Sequence, residues 1–370
     1  MVRQLSELSE LFFWLLAREG VVVSGNTEWV NYAKAIGIIL VVYGHVARGL
    51  YNAGIDFYAP VVILADSIIY SFHMPLFFFL SGLFFYTSIL KKGAVNLVLG
   101  KIDTLLYPYF IWSIFQGCVE LYLADYTNGM VSMSEIVSLL WSPRAQFWFL
   151  YSLFLIFLFS SMFYSFISNK FSIIFFLLSA LLYLFPNIAP ETYASKVIVE
   201  NLVFFVFGIM FFIHSDIDRF SCVFCSVLWS CLFVSSQWLF HIYLSLDYTN
   251  KGIESLVLAL ISIIFVVSIS ANLAKRNYTS ISFLGASSMA IYLMHVLSGS
   301  GVRIILIAFG VDSFWVHLLL GSFLGILIPI AAISIINRLK IPYVFSAPIS
   351  TSIKAVFRNL SCRAGERNCK

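Results

Sequence analysis

The chain has 370 residues, of which 61% are hydrophobic and 11% charged, and its mean hydropathy is +0.95. An ordinary soluble domain carries about 25% charged residues, so this composition excludes a cytosolic enzyme, a secreted domain, a disordered protein and a nucleic-acid binder. The net charge of +4 is small. What it means depends on where the charges fall in an all-α polytopic membrane protein, whose spans each take about 20 apolar residues.

The run Leu11 to Leu16 is too short for a signal-peptide core and is followed by Arg18 and Glu19. It predicts an interfacial helix within a cytoplasmic N-terminal segment, 1–28. Apolar runs then predict about ten transmembrane helices, at 30–50, 66–90, 99–123, 146–167, 171–186, 197–213, 220–243, 254–273, 281–303 and 314–336. They form one membrane domain, 29–337, and a basic cytoplasmic tail, 338–370, expected against anionic lipid. With the N-terminus inside, 17 of the 22 Lys and Arg fall on the inner side. Only Arg48, Arg144, Lys196, Lys251 and Arg303 fall outside, so both termini are expected in the cytoplasm. Leaving out the seven in the tail still gives ten against five. Of the six cysteines, Cys222 and Cys225 have metal-type spacing, but no second pair or His lies near them. No metal site is expected.

Ionisable groups within the hydrocarbon layer are costly and therefore mark function. The first span carries Lys34 and His45. Eleven residues make three turns plus about 20°, so the two share a helix face, about 16 Å apart along the axis. Alone, Lys34 reads as a snorkelling anchor and His45 as a packed histidine; the shared face argues against both. His73 precedes Pro75 in the second span, and a proline there frees backbone groups that must face protein or a wet cavity. Lys101 and Asp103 stand at the inner start of the third span, where a surface ion pair is the plain alternative. Glu200 stands at the outer start of the sixth span, where helix capping is the alternative, and His295 lies in the outer half of the ninth. His241 and His317 fall at outer span ends and read as interfacial, and His214 receives no role. His45, His73, Glu200 and His295 thus come from four helices and map to one half of the bilayer, while Lys34 and Lys101 map to the other. Histidine serves acid/base chemistry near neutral pH. Lysines at the opposite mouth suit an anionic, phosphate-bearing ligand.

These residues carry a resemblance. Lys34 to His45, a basic residue followed by ten others and a His, resembles the first helix of the integral-membrane acyltransferase-3 family. Phe72-His73-Met74-Pro75-Leu76-Phe77-Phe78-Phe79-Leu80-Ser81-Gly82 is similar to the second motif of its fucose 4-O-acetylase-like, polysaccharide O-acetyltransferase branch. Leu105-Leu106-Tyr107-Pro108-Tyr109, Phe147-Trp148-Phe149-Leu150 and Tyr292-Leu293-Met294-His295 resemble later signatures in order, and the resemblance spans about 28–336. Asn31 stands where the family often has Asp, and Lys101 and Thr104 where it often has two Arg.

The resemblance implies an O-acetyltransferase of the cell inner membrane. It would use cytosolic acetyl-CoA as donor and a sugar hydroxyl of a surface polysaccharide (O-antigen or exopolysaccharide) or its lipid-linked precursor as acceptor. Asn31, Lys34 and Lys101 would meet the donor. His45 would act as base or transient nucleophile, with His73, Glu200 or His295 orienting it. A loop at 125–145, with Ser132, Ser134, Glu135 and Trp141, would dip back over the acceptor. The alternatives are a glycolipid or solute transporter, for which two similar halves with interrupted helices are expected, and a structural partner in a polysaccharide assembly.

Overall fold

The structure is a computed structural model that describes residues 27–55, 59–123, 138–166 and 171–356. The expected helix at Leu11 to Leu16, loop residues Ser132, Ser134 and Glu135, Cys362, Cys369 and the tail from 357 lie outside the described residues. Among the described residues the elements are helical. They are α1 (Glu28–Asn52), α2 (Ala59–Tyr70), α3 (His73–Leu83), α4 (Phe85–Lys101) and α5 (Tyr107–Tyr122). Then come α6 (Trp148–Phe166), α7 (Ser172–Leu184), α8 (Tyr193–His214), α9 (Val223–Trp238), α10 (Ile253–Ala274), α11 (Thr279–Ala286), α12 (Ser288–Ala308) and α13 (Phe314–Arg338).

Among the described residues eight helical stretches are long and apolar enough to cross a bilayer: Glu28–Asn52, Pro60–Leu83, Ala145–Tyr164, Tyr193–His214, Val223–Tyr243, Ile253–Ala274, Ser288–Ala308 and Phe314–Arg338. Two of the expected spans fall short of that length. The first, 171–186, is the 13-residue α7. The second, 99–123, is assembled differently. The helix turns at Gly93, whose φ of 71° is left-handed and suits glycine, then resumes and runs through a π-helical turn at Ile102–Leu106 into α5. The second span also shifts, from 66–90 to Pro60–Leu83. Its break lies at Ser71 and Phe72, not at Pro75, because Pro75 occupies the first turn of α3, where no amide hydrogen bond is lost.

The central helix is α1, which packs on α3, α10, α11, α12 and α13. It is joined most closely to α11, where a Cβ on Gly285 would sit 1.7 Å from the Asn31 carbonyl oxygen. Only glycine allows this backbone contact, and it sets Asn31 Nδ2 to donate to Ser282 Oγ at 3.3 Å and Tyr32 to donate to the Tyr278 carbonyl at 3.2 Å. Contacts at successive levels give the directions of the helices. α1 meets the α11–α12 segment at Asn31 with Gly285, His45 with His295, and Gly49 with Arg303, so the two run parallel. α13 runs antiparallel to α1, with Val42 against Gly325 and Val46 against Gly321. α6 runs parallel to α3 and the start of α4, through Phe78 with Phe149, Phe85 with Phe157 and Tyr86 with Tyr164. α5 runs antiparallel to α6, through Tyr109 with Tyr151 and Gln116 with Gln146. The spans at α8 and α10 are 61% buried, against 17% for those at α9 and α13. The apolar faces of the latter pair are therefore suited to lipid.

Candidate active site

A cavity of about 530 Å³ lies at the end of α1 away from Lys34, between α1, α5, α12 and the start of α13. His45 and His295 line it, their rings edge to face with centroids 4.9 Å apart. His295 is 1% exposed. Its Nδ1 lies 2.8 Å from the Tyr292 carbonyl and 3.1 Å from that of Ile291. A carbonyl only accepts, so Nδ1 carries the proton and Nε2 the lone pair. That Nε2 is buried and has no hydrogen-bond partner among the described residues.

Arg48, one turn beyond His45, forms a two-pronged ion pair with Asp66 of α2: Nε to Oδ1 at 3.0 Å and Nη2 to Oδ2 at 2.8 Å. Its guanidinium lies 3.3 Å from the centroid of the Tyr70 ring, a cation–π contact. Tyr70 in turn packs edge-on against His73, centroids 4.5 Å apart. His73 donates from Nδ1 to the Ile69 carbonyl at 2.8 Å. On the opposite wall Arg144 pairs with Glu120. Gln116 donates to Glu120 at 2.8 Å, Gln146 donates to Gln116 at 2.6 Å, and Tyr292 of α12 donates to the Gln146 carbonyl. This polar chain runs from the cavity wall to within one turn of His295.

The sequence-predicted residues therefore divide. His45 and His295 share the cavity, and His73 stands behind its Tyr70 wall. Glu200 lies elsewhere: it is eight residues into α8, whose cap is Thr192, so Glu200 is not the capping residue. It lines an adjoining space of about 190 Å³ with Lys251, Tyr183 and Trp148, and Tyr70 is a wall of both cavities. Lys34 is half-buried one turn beyond Asn31, at the other end of α1. Lys101 ends α4 with its ammonium 4.5 Å from the Phe157 ring centroid. Asp103 accepts from the backbone amide of Ser350 at 2.7 Å and its hydroxyl at 2.5 Å, so it holds the segment after α13. His317, read as interfacial from its place at a span end, is 1% exposed and lines the large cavity. Cys222 caps α9 by accepting from the Cys225 amide at 3.0 Å. Among the described residues no group of three or more His, Cys, Asp or Glu could hold a metal ion.

Residues 27–334 match the model of the acyltransferase-3 family, described as an acyltransferase domain. The chain belongs to this family. It is a multi-pass membrane acyltransferase, and such an enzyme joins an acyl donor to an acceptor. No curated protein and no solved structure matches the chain.

Several groups around the acyltransferase's large cavity carry no role in the sequence reading: Arg48, Asp66, Tyr70, Glu120, Arg144 and Arg303. Two had a legible signal. Arg48 follows His45 by three residues and so shares its face. Asp66 is an ionisable group inside an apolar run, hidden when the second span is begun at 66 instead of 60.

Proposed function

We propose that this acyltransferase moves an acetyl group from cytosolic acetyl-CoA to a sugar hydroxyl of a cell-surface polysaccharide or its lipid-linked precursor, at the cell inner membrane, with His45 as the reacting side chain. The observation that carries the reading is the His45–His295 pair on the wall of a cavity at one end of α1, with Lys34 on the same helix toward the other end. Their axial separation, about 16 Å, matches the reach of the pantetheine arm of coenzyme A. Lys34, Lys101 and Asn31 would receive the donor's phosphates and nucleotide, and the cavity the sugar.

In the direct route, His45 accepts the proton of the sugar hydroxyl while its oxygen attacks the thioester carbonyl carbon. Collapse of the tetrahedral intermediate breaks the C–S bond, and the departing thiolate takes the proton to leave as CoA-SH. In the two-step route the acetyl group rests first on His45. His295, with its Nδ1 held on the Tyr292 carbonyl, packs edge to face on the His45 ring and would fix its orientation in either route. His73 holds Tyr70, and Glu200 would meet a more distant part of the acceptor in the adjoining space.

A ten-span arrangement with both termini cytoplasmic fits the helix directions. α6 runs parallel to the second span, so the chain must cross between them, as the segment from Ala94 to Tyr122 does. α6 is then fourth. α12 runs parallel to α1 and must have an odd place, which requires the short α7 to cross as well. The charge count of 17 against 5 supports an N-terminus on the inner side.

The test is His45→Ala in native membranes, with radiolabelled acetyl-CoA and surface polysaccharide analysed for O-acetyl groups. Loss of a general base lowers the rate by about 10² to 10⁴ while the protein inserts at normal levels. Near wild-type acetylation would remove His45 from the chemistry.

A further inference from the structure

The charges around the large cavity do not balance. Arg48 is matched by Asp66 and Arg144 by Glu120. Arg303 also lines the cavity and is 8% exposed, yet among the described residues no carboxylate pairs with it. Its Nη1 donates to the Gly49 carbonyl at 2.7 Å. A Cβ on residue 49 would stand 2.9 Å from that nitrogen, so the guanidinium lies close against the α1 backbone there. Arg144, which also lines the cavity, spends Nη2 on Glu120, and its Nε and Nη1 are buried with no hydrogen-bond partner among the described residues. Two ring nitrogens of cavity-lining residues are also buried and have no hydrogen-bond partner among the described residues, His295 Nε2 and Nδ1 of His317, whose Nε2 donates to the Val311 carbonyl at 2.7 Å.

A buried guanidinium within a membrane domain needs a counter-charge, and hydroxyl groups do not supply one. We infer that the acceptor is an anionic sugar, whose carboxylate or phosphate sits against Arg303 on the cavity wall while its reacting hydroxyl lies at His45. This rests on the reading that the cavity takes the acceptor. The spacing fits: Gly49 is four residues beyond His45, about 6 Å along the axis, roughly the distance from an anomeric phosphate or a ring carboxylate to a hydroxyl across a hexose. The volume, about 530 Å³, is ample for a hexose and one such group.

The experiment uses membranes of the producing cell, in which [¹⁴C]acetyl transfer to the native acceptor is inhibited by three matched probes: methyl hexosides, methyl hexuronides and hexose 1-phosphates. An anionic class should inhibit at concentrations at least about tenfold below the neutral class, reflecting a charge-assisted hydrogen-bond pair. Hexuronides acting so points to a carboxylate acceptor, and 1-phosphates to a phosphate-linked one. Arg303→Gln should erase the difference and leave KM for acetyl-CoA unchanged, and Arg303→Lys should keep part of it. Equal inhibition by all three classes in the wild type overturns the inference whether or not the variants fold, as does an unchanged difference in Arg303→Gln. Absence of any acetyl transfer from acetyl-CoA in the wild type would overturn the proposed function itself, and this inference with it.

Discussion

Replacing Gly285 by Ala attacks the joint between α1 and α11 without touching an ionisable side chain. The added Cβ would meet the Asn31 carbonyl oxygen at 1.7 Å, its carbon at 2.5 Å and its Cα at 2.9 Å. Restoring 3.0 Å to the oxygen requires the two backbones to part by at least 1.3 Å. All three atoms are backbone, so no rotamer change relieves the clash. Overpacking of this kind costs about 1 to 3 kcal/mol. The separation also breaks the Asn31–Ser282 and Tyr32–Tyr278 hydrogen bonds, each worth about 0.5 to 1.5 kcal/mol. The total is about 2 to 6 kcal/mol. His45 is fourteen residues from Asn31, about 21 Å along α1, so the strain falls on the Lys34 end. Gly285→Ala is therefore expected to lower the thermal midpoint of the detergent-purified protein and to raise KM for acetyl-CoA, with KM for the acceptor little changed. Gly100→Ala is the control: nothing lies within 4 Å of a Cβ there, and an alanine within a helix should stabilise by about 0.5 to 1 kcal/mol. A Gly285→Ala protein with an unchanged midpoint would refute the backbone contact. A changed midpoint with an unchanged donor KM would separate this joint from donor binding.

Lys34→Ala and Lys101→Ala should raise KM for acetyl-CoA more than KM for the acceptor; the opposite pattern would reassign both lysines. Asp66→Asn removes the partner of Arg48 and should cost about 1.5 to 3 kcal/mol. The double variant Arg48→Met, Asp66→Asn should unfold at a higher temperature than Asp66→Asn alone, because no uncompensated charge remains; equal midpoints would show that the pair is not coupled. For sidedness, a cysteine at Thr249, in a variant lacking the native cysteines, should react with an impermeant thiol reagent on intact cells, and one at Thr351 only after lysis. Both positions are exposed, whereas Ser350 is buried on Asp103. Reversed labelling would put the cavity on the cytosolic side.

The class of the protein was legible from composition alone, because a bilayer demands apolar helices whatever their partners. The pairing of Lys34 with His45 was legible too, since helical periodicity puts residues eleven apart on one face in any packing. Hydropathy also located the long helices, and it misjudged the second and third spans where Gly93, a π-helical turn and the break at Ser71 and Phe72 interrupt an otherwise apolar run. The site was only half legible. Sequence separates His45 from His295 by 250 positions, and nothing in either segment states that parallel packing of α1 and α12 sets the rings edge to face. Glu200 shows what depth leaves out: a depth argument groups it with the histidines, whereas its position around the bundle puts it on the adjoining cavity, a coordinate that depth does not contain. Charge counting recorded Arg48, Arg144 and Arg303 as three outer cations. Only the tertiary structure shows that two of them are neutralised by Asp66 and Glu120 and that among the described residues no carboxylate pairs with the third, because ion pairing depends on distances between helices that the sequence orders but does not measure.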